Sequence, residues 1–439
     1  MAIIIQQKLF SWKDVDLSGE LERLKMVIET IPDEELMRDL EEERNGKRND
    51  YPIRAVWNSI LGGIVYQHAS IESLRRELMR NGELREVCGF DPVLADEAVP
   101  SKDAYSSMMK KLMKRQDKID GMFDKVIEEI KKELPGFGRH LAIDSKRVDT
   151  YAKGKKNPEE SSDCEAGWGN KTYKGKREDG SLWQKVVSWF GYKLHLVVDT
   201  TYELPVGYKV TKANASDMDE MFPMVSAVRE KYFKDTIETI SADRGYDSEE
   251  NNVNLYDKYG IKAVIDIRNM WKDKEETRLL DGDKSGNVVY DFKGNIYCYC
   301  PMTNERREMA FCGFEKDRNT LKYKCPKAAY GISCKGHEEC LKENNSRIVR
   351  IPLGKDRRVF VPIARSSYKW QKIYNGRTAV ERVNSRVALS FGFDHHFVRG
   401  KAKMTLKAGL AMVVMLTMAL ARIKMNQAED MRSLIKQAA

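Results

Sequence analysis

The chain has only six histidines, none in a Gly-x-Ser-x-Gly context, and no Gly-x-x-x-x-Gly-Lys loop. The first absence leaves Ser/His hydrolase chemistry without support, because that pattern builds the nucleophile turn of such enzymes. The second removes the phosphate cradle of ATP-driven machines. Eight cysteines are present but no Cys-x-x-Cys pair, so the spacing that marks many structural zinc sites is missing. Long apolar runs are missing too. The longest, Ala408 to Ala421, falls short of the roughly 18 residues that read as a membrane span and reads as a buried core helix. Met1-Ala-Ile-Ile-Ile is apolar, but Gln6, Gln7 and Lys8 interrupt it, so no signal peptide is expected. These absences predict a cytoplasmic protein without a membrane partner.

What is present is an ordinary globular composition, 41% hydrophobic and 33% charged, in a chain long enough for two or three domains. The net charge of +9 is unevenly placed. From Ser366 onward there are thirteen Lys/Arg and four Asp/Glu, so everything before Ser366 is balanced. A basic carboxyl-terminal segment suggests a polyanionic partner such as nucleic acid, and a solvated helical face is the plainer alternative.

Residues 1–135 read as helical. Leu21, Leu24, Val27, Ile28 and Ile31 recur at helical spacing, Ile53 to Gln67 follows Pro52, and Asp103 to Leu134 supports one long helix or a pair. This segment suits DNA binding or dimerisation. Pro135-Gly136-Phe137-Gly138 ends it. A strand, His140 to Ser145, then closes on Asp144. The stretch from Asp149 to Lys185 reads as a polar loop too long for a connector. Gly191–Asp199 and Leu204–Thr211 read as a hairpin, and Asp217–Lys231 as a helix. Thr236 to Ile240 alternates like a half-buried strand and leads into Ser241-Ala242-Asp243-Arg244-Gly245-Tyr246-Asp247-Ser248. Ser248-Glu249-Glu250 reads as a helix start, and Gly260–Asp266 as a further strand. The resulting expectation is an α/β fold with a mixed sheet whose first and fourth strands both end in Asp.

From 269 to 365 helical periodicity disappears and six cysteines cluster: Cys298, Cys300, Cys312, Cys325, Cys334 and Cys340. This reads as a Cys-rich, β-rich insertion. In a cytoplasmic protein such thiols hold Zn2+ or stay free rather than forming disulfides, and the irregular spacing leaves both readings open. Helical periodicity returns at Tyr368 and continues past Glu381, with Tyr374, Arg377, Thr378, Glu381, Ser385 and Ala388 on one face. Asp149, Asp199 and Asp266 suit turn roles, and His195 a core role.

Asp144, Asp243 and Glu381 thus supply two strand-end carboxylates and one helix carboxylate around a mixed sheet. Hard oxygen ligands from separate elements suit a pair of Mg2+ ions that complete their shells with water and substrate phosphate. Two such ions favour an in-line phosphoryl displacement.

The residues Ala142-Ile143-Asp144-Ser145-Lys146, Trp189-Phe190-Gly191-Tyr192-Lys193-Leu194-His195, Ala242-Asp243-Arg244-Gly245-Tyr246-Asp247-Ser248 and Tyr374-Asn-Gly-Arg377-Thr-Ala-Val-Glu381-Arg382 resemble bacterial insertion-sequence transposases of the DDE type, near the IS4/IS5 group and closest to the IS1182 family. The resemblance covers nearly the whole chain. It implies an RNase H-like core (139–268 and 366–425) interrupted by the 269–365 insertion, and cleavage and strand transfer with Mg2+, or Mn2+ as substitute. Its implied metal ligands and catalytic residues are Asp144, Asp243 and Glu381. Tyr374, Arg377, Arg386, Arg399, Lys401 and Lys403 are the implied DNA contacts. The implied partners are double-stranded DNA, at terminal inverted repeats and target sites, and a second copy in a homodimer, placing the protein at the bacterial nucleoid. One departure stands out. The family's Lys seven positions after the Glu is Ala388 here, with Arg399 or Lys401 as its expected substitutes. The rivals to a transposase are a nuclease without strand transfer and a catalytically silent DNA-binding derivative.

Overall fold

The computed structural model describes residues 19–44, 51–94, 96–177, 179–280, 286–341 and 347–433. Met1 to Lys8, weighed above as a signal peptide, lies outside them. Seven helices open the described chain: α1 (Glu20–Thr30), α2 (Glu34–Arg44), α3 (Ile53–Val65), α4 (Ile71–Arg80), α5 (Gly82–Cys88), α6 (Lys102–Met113) and α7 (Gln116–Glu133). Side-chain caps start three of them: Ser70 for α4, Asn81 for α5 and Ser101 for α6. Each accepts from a backbone N–H that the helix leaves unpaired. Along α7, Ile119, Met122, Phe123, Val126, Ile127 and Ile130 are buried, the three- and four-residue steps of one apolar face. Asp103 to Leu134 therefore resolves into a helix pair.

The sheet comprises β1 (His140–Asp149), β2 (Gly167–Lys176), β3 (Leu182–Asp199), β4 (Pro205–Lys212), then, after α8 (Asp217–Lys231), β5 (Thr239–Ala242), and after the short α9 (Glu249–Val253), β6 (Lys262–Ile265). Its order is β2-β3-β1-β5-β6, with β4 also on β3. β1, β5 and β6 run parallel, and β3 runs antiparallel to both β1 and β4. The mixed sheet expected from the sequence is present, with three local differences. β1 does not stop at Asp144 but runs five residues further, pairing Asp144 with Leu196 and Asp149 with Gly191. The supposed loop 149–185 contains β2, paired with the first half of β3 from Gly167↔Gly191 to Lys176↔Leu182. β3 from Leu182 to Val186 is exposed on every residue, so neither face alternates in polarity and the period-2 signal vanishes. β5, read as half-buried, is buried throughout.

Beyond β6 lie two small sheets. β7 (Arg278–Leu279), β8 (Val288–Tyr290), β9 (Ile296–Tyr299) and β10 (Arg306–Glu308) form one. β11 (Ala310–Glu315), β12 (Thr320–Lys324) and, after α10 (Pro326–Tyr330) and α11 (His337–Leu341), β13 (Ile348–Pro352) form the other. They share a core of their own, including Val288, Ile296, Tyr323, Ile351 and Phe360. Three helices close the fold: α12 (Tyr368–Asn375), α13 (Thr378–Leu389) and α14 (Lys401–Lys424). The helix expected to run unbroken past Glu381 is interrupted at Gly376 and Arg377. α14 is long and apolar enough to cross a membrane by composition, yet it is buried against α1, α7 and β4.

The junction between α7 and β1 depends on one glycine. Gly138 has φ +83°, and a Cβ there would stand 2.4 Å from the Phe233 ring. Its N–H also donates to Asp199 Oδ2 at 2.8 Å. Gly138→Ala combines left-handed backbone strain with a clash in a packed core and is expected to cost about 2–5 kcal/mol. Denaturant melts of the purified variant measure this. A loss under about 1 kcal/mol would mean the junction relaxes around the methyl.

Candidate active site

Parallel pairing of β1 with β5 matches His140 with Thr239, Leu141 with Ile240 and Ala142 with Ser241. Two places further along the same direction, the register reaches Asp144 on β1 and Asp243 after β5. The two carboxylates therefore stand side by side just past the carboxyl end of β5, the end where α/β sheets place their sites, with β1 running on beyond Asp144. β5 stops because Asp243 caps a single turn, Arg244–Tyr246, its Oδ1 accepting from the Gly245 N–H at 2.7 Å. A Cβ on Gly245 would stand 2.7 Å from that same oxygen, so any side chain there would push the Asp243 carboxylate out of this position. Asp247, four residues on, is buried and accepts from Arg358 at 2.7 Å and from the Arg268 N–H at 3.0 Å. The turn is thus anchored on both flanks of the 269–365 segment.

Asp144 is half-buried, its Oδ1 accepting from the Ser145 N–H at 2.8 Å and its Oδ2 from Asn384 Nδ2 at 3.4 Å. Burial, reinforced by the Asp243 charge, pushes its carboxyl up to about 6, against the opposing pull of the Ser145 N–H, Arg377 and Lys171. This is the signature of like charges held together with too little water.

α13 carries the third expected carboxylate over β1 and β3. Glu381 is not brought onto the two Asp residues. Its carboxylate is paired with Arg377 at 2.7 Å and half exposed. Arg377 is the link, since its charge acts on Asp144 as well as Glu381. It also lies 5.6 Å from the centre of the Tyr374 ring, which stacks on Trp370 at 4.6 Å and 13°. Trp370 packs with Val264 of β6 and Ile363. Among the described residues, no three His, Cys, Asp or Glu side chains converge closely enough to hold a metal.

The remaining expected residues divide into two groups. Arg399, Lys401 and Lys403 are exposed around the start of α14. Arg386, expected at DNA, is placed in an internal ion-pair cluster. Its guanidinium donates to the Glu203 carbonyl at 2.6 Å and is largely buried in a cluster in which Arg382 and Arg432 also pair with Glu203. That guanidinium is already taken up by an internal carboxylate. Ala388 is buried, its carbonyl accepting from the Phe393 and Asp394 N–H groups. His195 is fully buried, with Nε2 2.8 Å from Thr211 Oγ1. Asp199 accepts from the N–H groups of Gly138, Thr201 and Tyr202. Both hold the structural roles that the sequence suggested.

Three residues escaped sequence reasoning. Asn384 lies one helical turn after Glu381, and its buried Oδ1 has no partner. Lys171, on β2, lies close enough to act on Asp144. Lys146 lies two places after Asp144 on β1, hence on the same face, and pairs with Asp394 at 3.1 Å. The i+3 and i+2 spacings were available signals for the first and last. Lys171 had none, since its strand looked like a loop.

The two aspartates, with the orphan Asn384 oxygen beside Asp144, form a set of hard oxygen donors carrying excess negative charge. That chemistry suits a divalent cation of the Mg2+ type. A dication would relieve the repulsion that holds Asp144 up.

Comparison with known proteins follows from this geometry. A family model described as Transposase DDE domain matches residues 135–417. No curated protein matches the chain. Among solved structures, a piggyBac transposase synaptic complex with hairpin DNA aligns over 97% of this chain and 80% of that chain, at 11% identity and a TM-score of 0.38, too slight a likeness to define the fold.

Proposed function

The chain belongs to the Transposase DDE domain family and is a DNA transposase, and from that premise we propose that Asp144, Asp243 and Glu381 are its catalytic carboxylates. The observation that carries this reading is the β1–β5 register, which sets two carboxylates from distant segments side by side. The core is RNase H-like over 139–268 and 366–425, with the 269–365 insertion between. Residues 1–135 serve DNA binding or dimerisation, and the motifs resemble those of IS1182-type elements within the wider IS4/IS5-like group. The protein acts as a homodimer on terminal inverted repeats and target DNA, at the nucleoid.

Members of this family generally use divalent metals such as Mg2+, and Asp144 and Asp243 are the residues that would hold it here. Held there, a metal pair would supply activation of the attacking water or 3′-hydroxyl and stabilisation of the leaving oxygen in an in-line displacement. The protein's own residues position the rest. Arg377 holds Glu381 by an ion pair whose carboxylate half is open to water, which weakens it. A DNA phosphate competes for that guanidinium through stronger paired hydrogen bonds. Once Arg377 turns to phosphate, Glu381 is released to join the aspartates. Tyr374, braced by Trp370, supports a base beside the cut. Arg399, Lys401 and Lys403 hold backbone phosphates. Lys146, tied to the turn that covers Ala388, supplies the cation that Ala388 lacks, which removes the one feature favouring a silent DNA-binding derivative.

The test is nicking of a duplex carrying the element's terminal sequence, with Mg2+, by wild type and by Glu381→Ala. Wild type is expected to nick and the variant to bind without nicking. Equal nicking by both proteins would remove Glu381 from the catalytic set. Products joined to a target would separate a transposase from a simple nuclease.

A further inference from the structure

Five thiols and one imidazole of the 269–365 segment converge on a single small cavity. Cys298 and Cys300 come from the end of β9, Cys325 from the end of β12, and Cys334, His337 and Cys340 from the stretch through α11. The cavity holds about 20 Å3, room for one water-sized body and no more. All eight cysteines of the chain are free thiols. Buried thiols of one core usually scatter. Here they arrive from three separated segments at one point.

The surroundings are those of a thiolate centre rather than of a hydrophobic pocket. Cys300 sulfur lies against the backbone of Gly336, so close that a Cβ there would stand 3.1 Å from it. Cys334, two residues before Gly336, lines the same cavity. Asn287 Nδ2 and Arg347 Nη1 lie 3.8 and 3.9 Å from Cys340 sulfur. Donors aimed at sulfur, and nearby guanidinium groups, are what a negatively charged metal–thiolate unit needs around it. Neutral thiols gain little from them. The imidazole supplies a second, independent sign: His337 Nδ1 is buried and has no hydrogen-bond partner.

We propose that this cavity is a structural zinc site, with Cys300 and Cys334 as two ligands and the rest drawn from Cys298, Cys325, Cys340 and His337. Zinc takes four such ligands in a closed tetrahedron. Among the described residues no three of these groups yet stand close enough to share an ion, so binding contracts the cavity by drawing the 334–340 stretch toward β9. The ion then cross-links the two small sheets, whose shared apolar core is modest. The metal is distinct from the catalytic cation, which sits on oxygen ligands.

Untagged full-length protein, dialysed under reducing conditions, is expected to retain about one zinc per chain by plasma mass spectrometry. Asp243→Ala and Cys312→Ser should keep it, because neither residue lines the cavity. Cys300→Ser combined with Cys334→Ser should reduce the content to near zero. Should that variant fail to fold, cobalt-loaded wild type decides the matter. Thiolate charge-transfer absorption with strong tetrahedral d–d bands supports the site. A weak octahedral spectrum overturns it, as does wild-type protein that carries no zinc and takes up none when zinc is supplied.

Discussion

Asp243→Ala is expected to lower cleavage of terminal DNA by on the order of 10³-fold or more, because carboxylates that act as one unit lose most of their effect when any member is removed. DNA binding should survive, and may be compared by electrophoretic shift at fixed salt. The reason lies in the register. Asp243 is placed by the strand end and held by the Gly245 N–H, so the substitution removes a ligand without touching the exposed lysines and arginines that meet phosphate. The same substitution also removes the neighbouring charge that helps push Asp144 up to about 6. The variant therefore should not unfold, and its melting temperature should match or slightly exceed that of wild type. A variant that loses binding along with cleavage would show that the turn, rather than the carboxylate, was the essential feature.

The second large effect is structural. Asp163 is buried and accepts from Thr150 Oγ1 at 2.5 Å, Tyr192 Oη at 2.8 Å and the Gly400 N–H at 2.9 Å. It therefore ties the end of β1 and the middle of β3 to the start of α14, the point from which Lys401 and Lys403 project. Asp163→Ala strands three donors around an empty space and is expected to cost about 3–5 kcal/mol. The pH dependence has a definite sign. Burial opposes the charged form, but the hydrogen bonds from Thr150, Gly400 and Tyr192 outweigh it and hold the carboxyl below its ordinary value. A depressed carboxyl stabilises the fold above its unfolded pKa, about 3.9, and loses that contribution as pH falls below it. The stability gap between wild type and variant should be full at pH 7 and shrink in acid. A gap that stays constant into acid would mean that shape, not charge, holds this junction.

These two aspartates show where sequence reading succeeds and where it stops. Asp243 stood out because local chemistry surrounds it: a strand, a glycine two places on and a capped helix start at Ser248. Asp163 was passed over inside a stretch taken for a loop, since its partners lie 13, 29 and 237 residues away. The β2–β3 ribbon was missed for a related reason. Strands exposed on both faces carry no alternation, and pairing between them leaves no periodic mark.

By itself the sequence determined the helical opening, every strand of the mixed sheet but β2 with the helices between them, the carboxylates at Asp144 and Asp243 as neighbours of strands, and the resemblance that names the DDE family. Each of these is written in short-range signals: periodicity, caps, glycines and motif spacing. Only the tertiary structure decided that Arg377 pairs with Glu381, that Arg386 pairs with Glu203, that Lys146 pairs with Asp394 beside the turn over Ala388, and that five irregularly spaced thiols share one cavity. Those outcomes depend on which charges and sulfurs meet across long stretches of chain. Distance along the sequence carries no record of them, because packing alone brings the partners together.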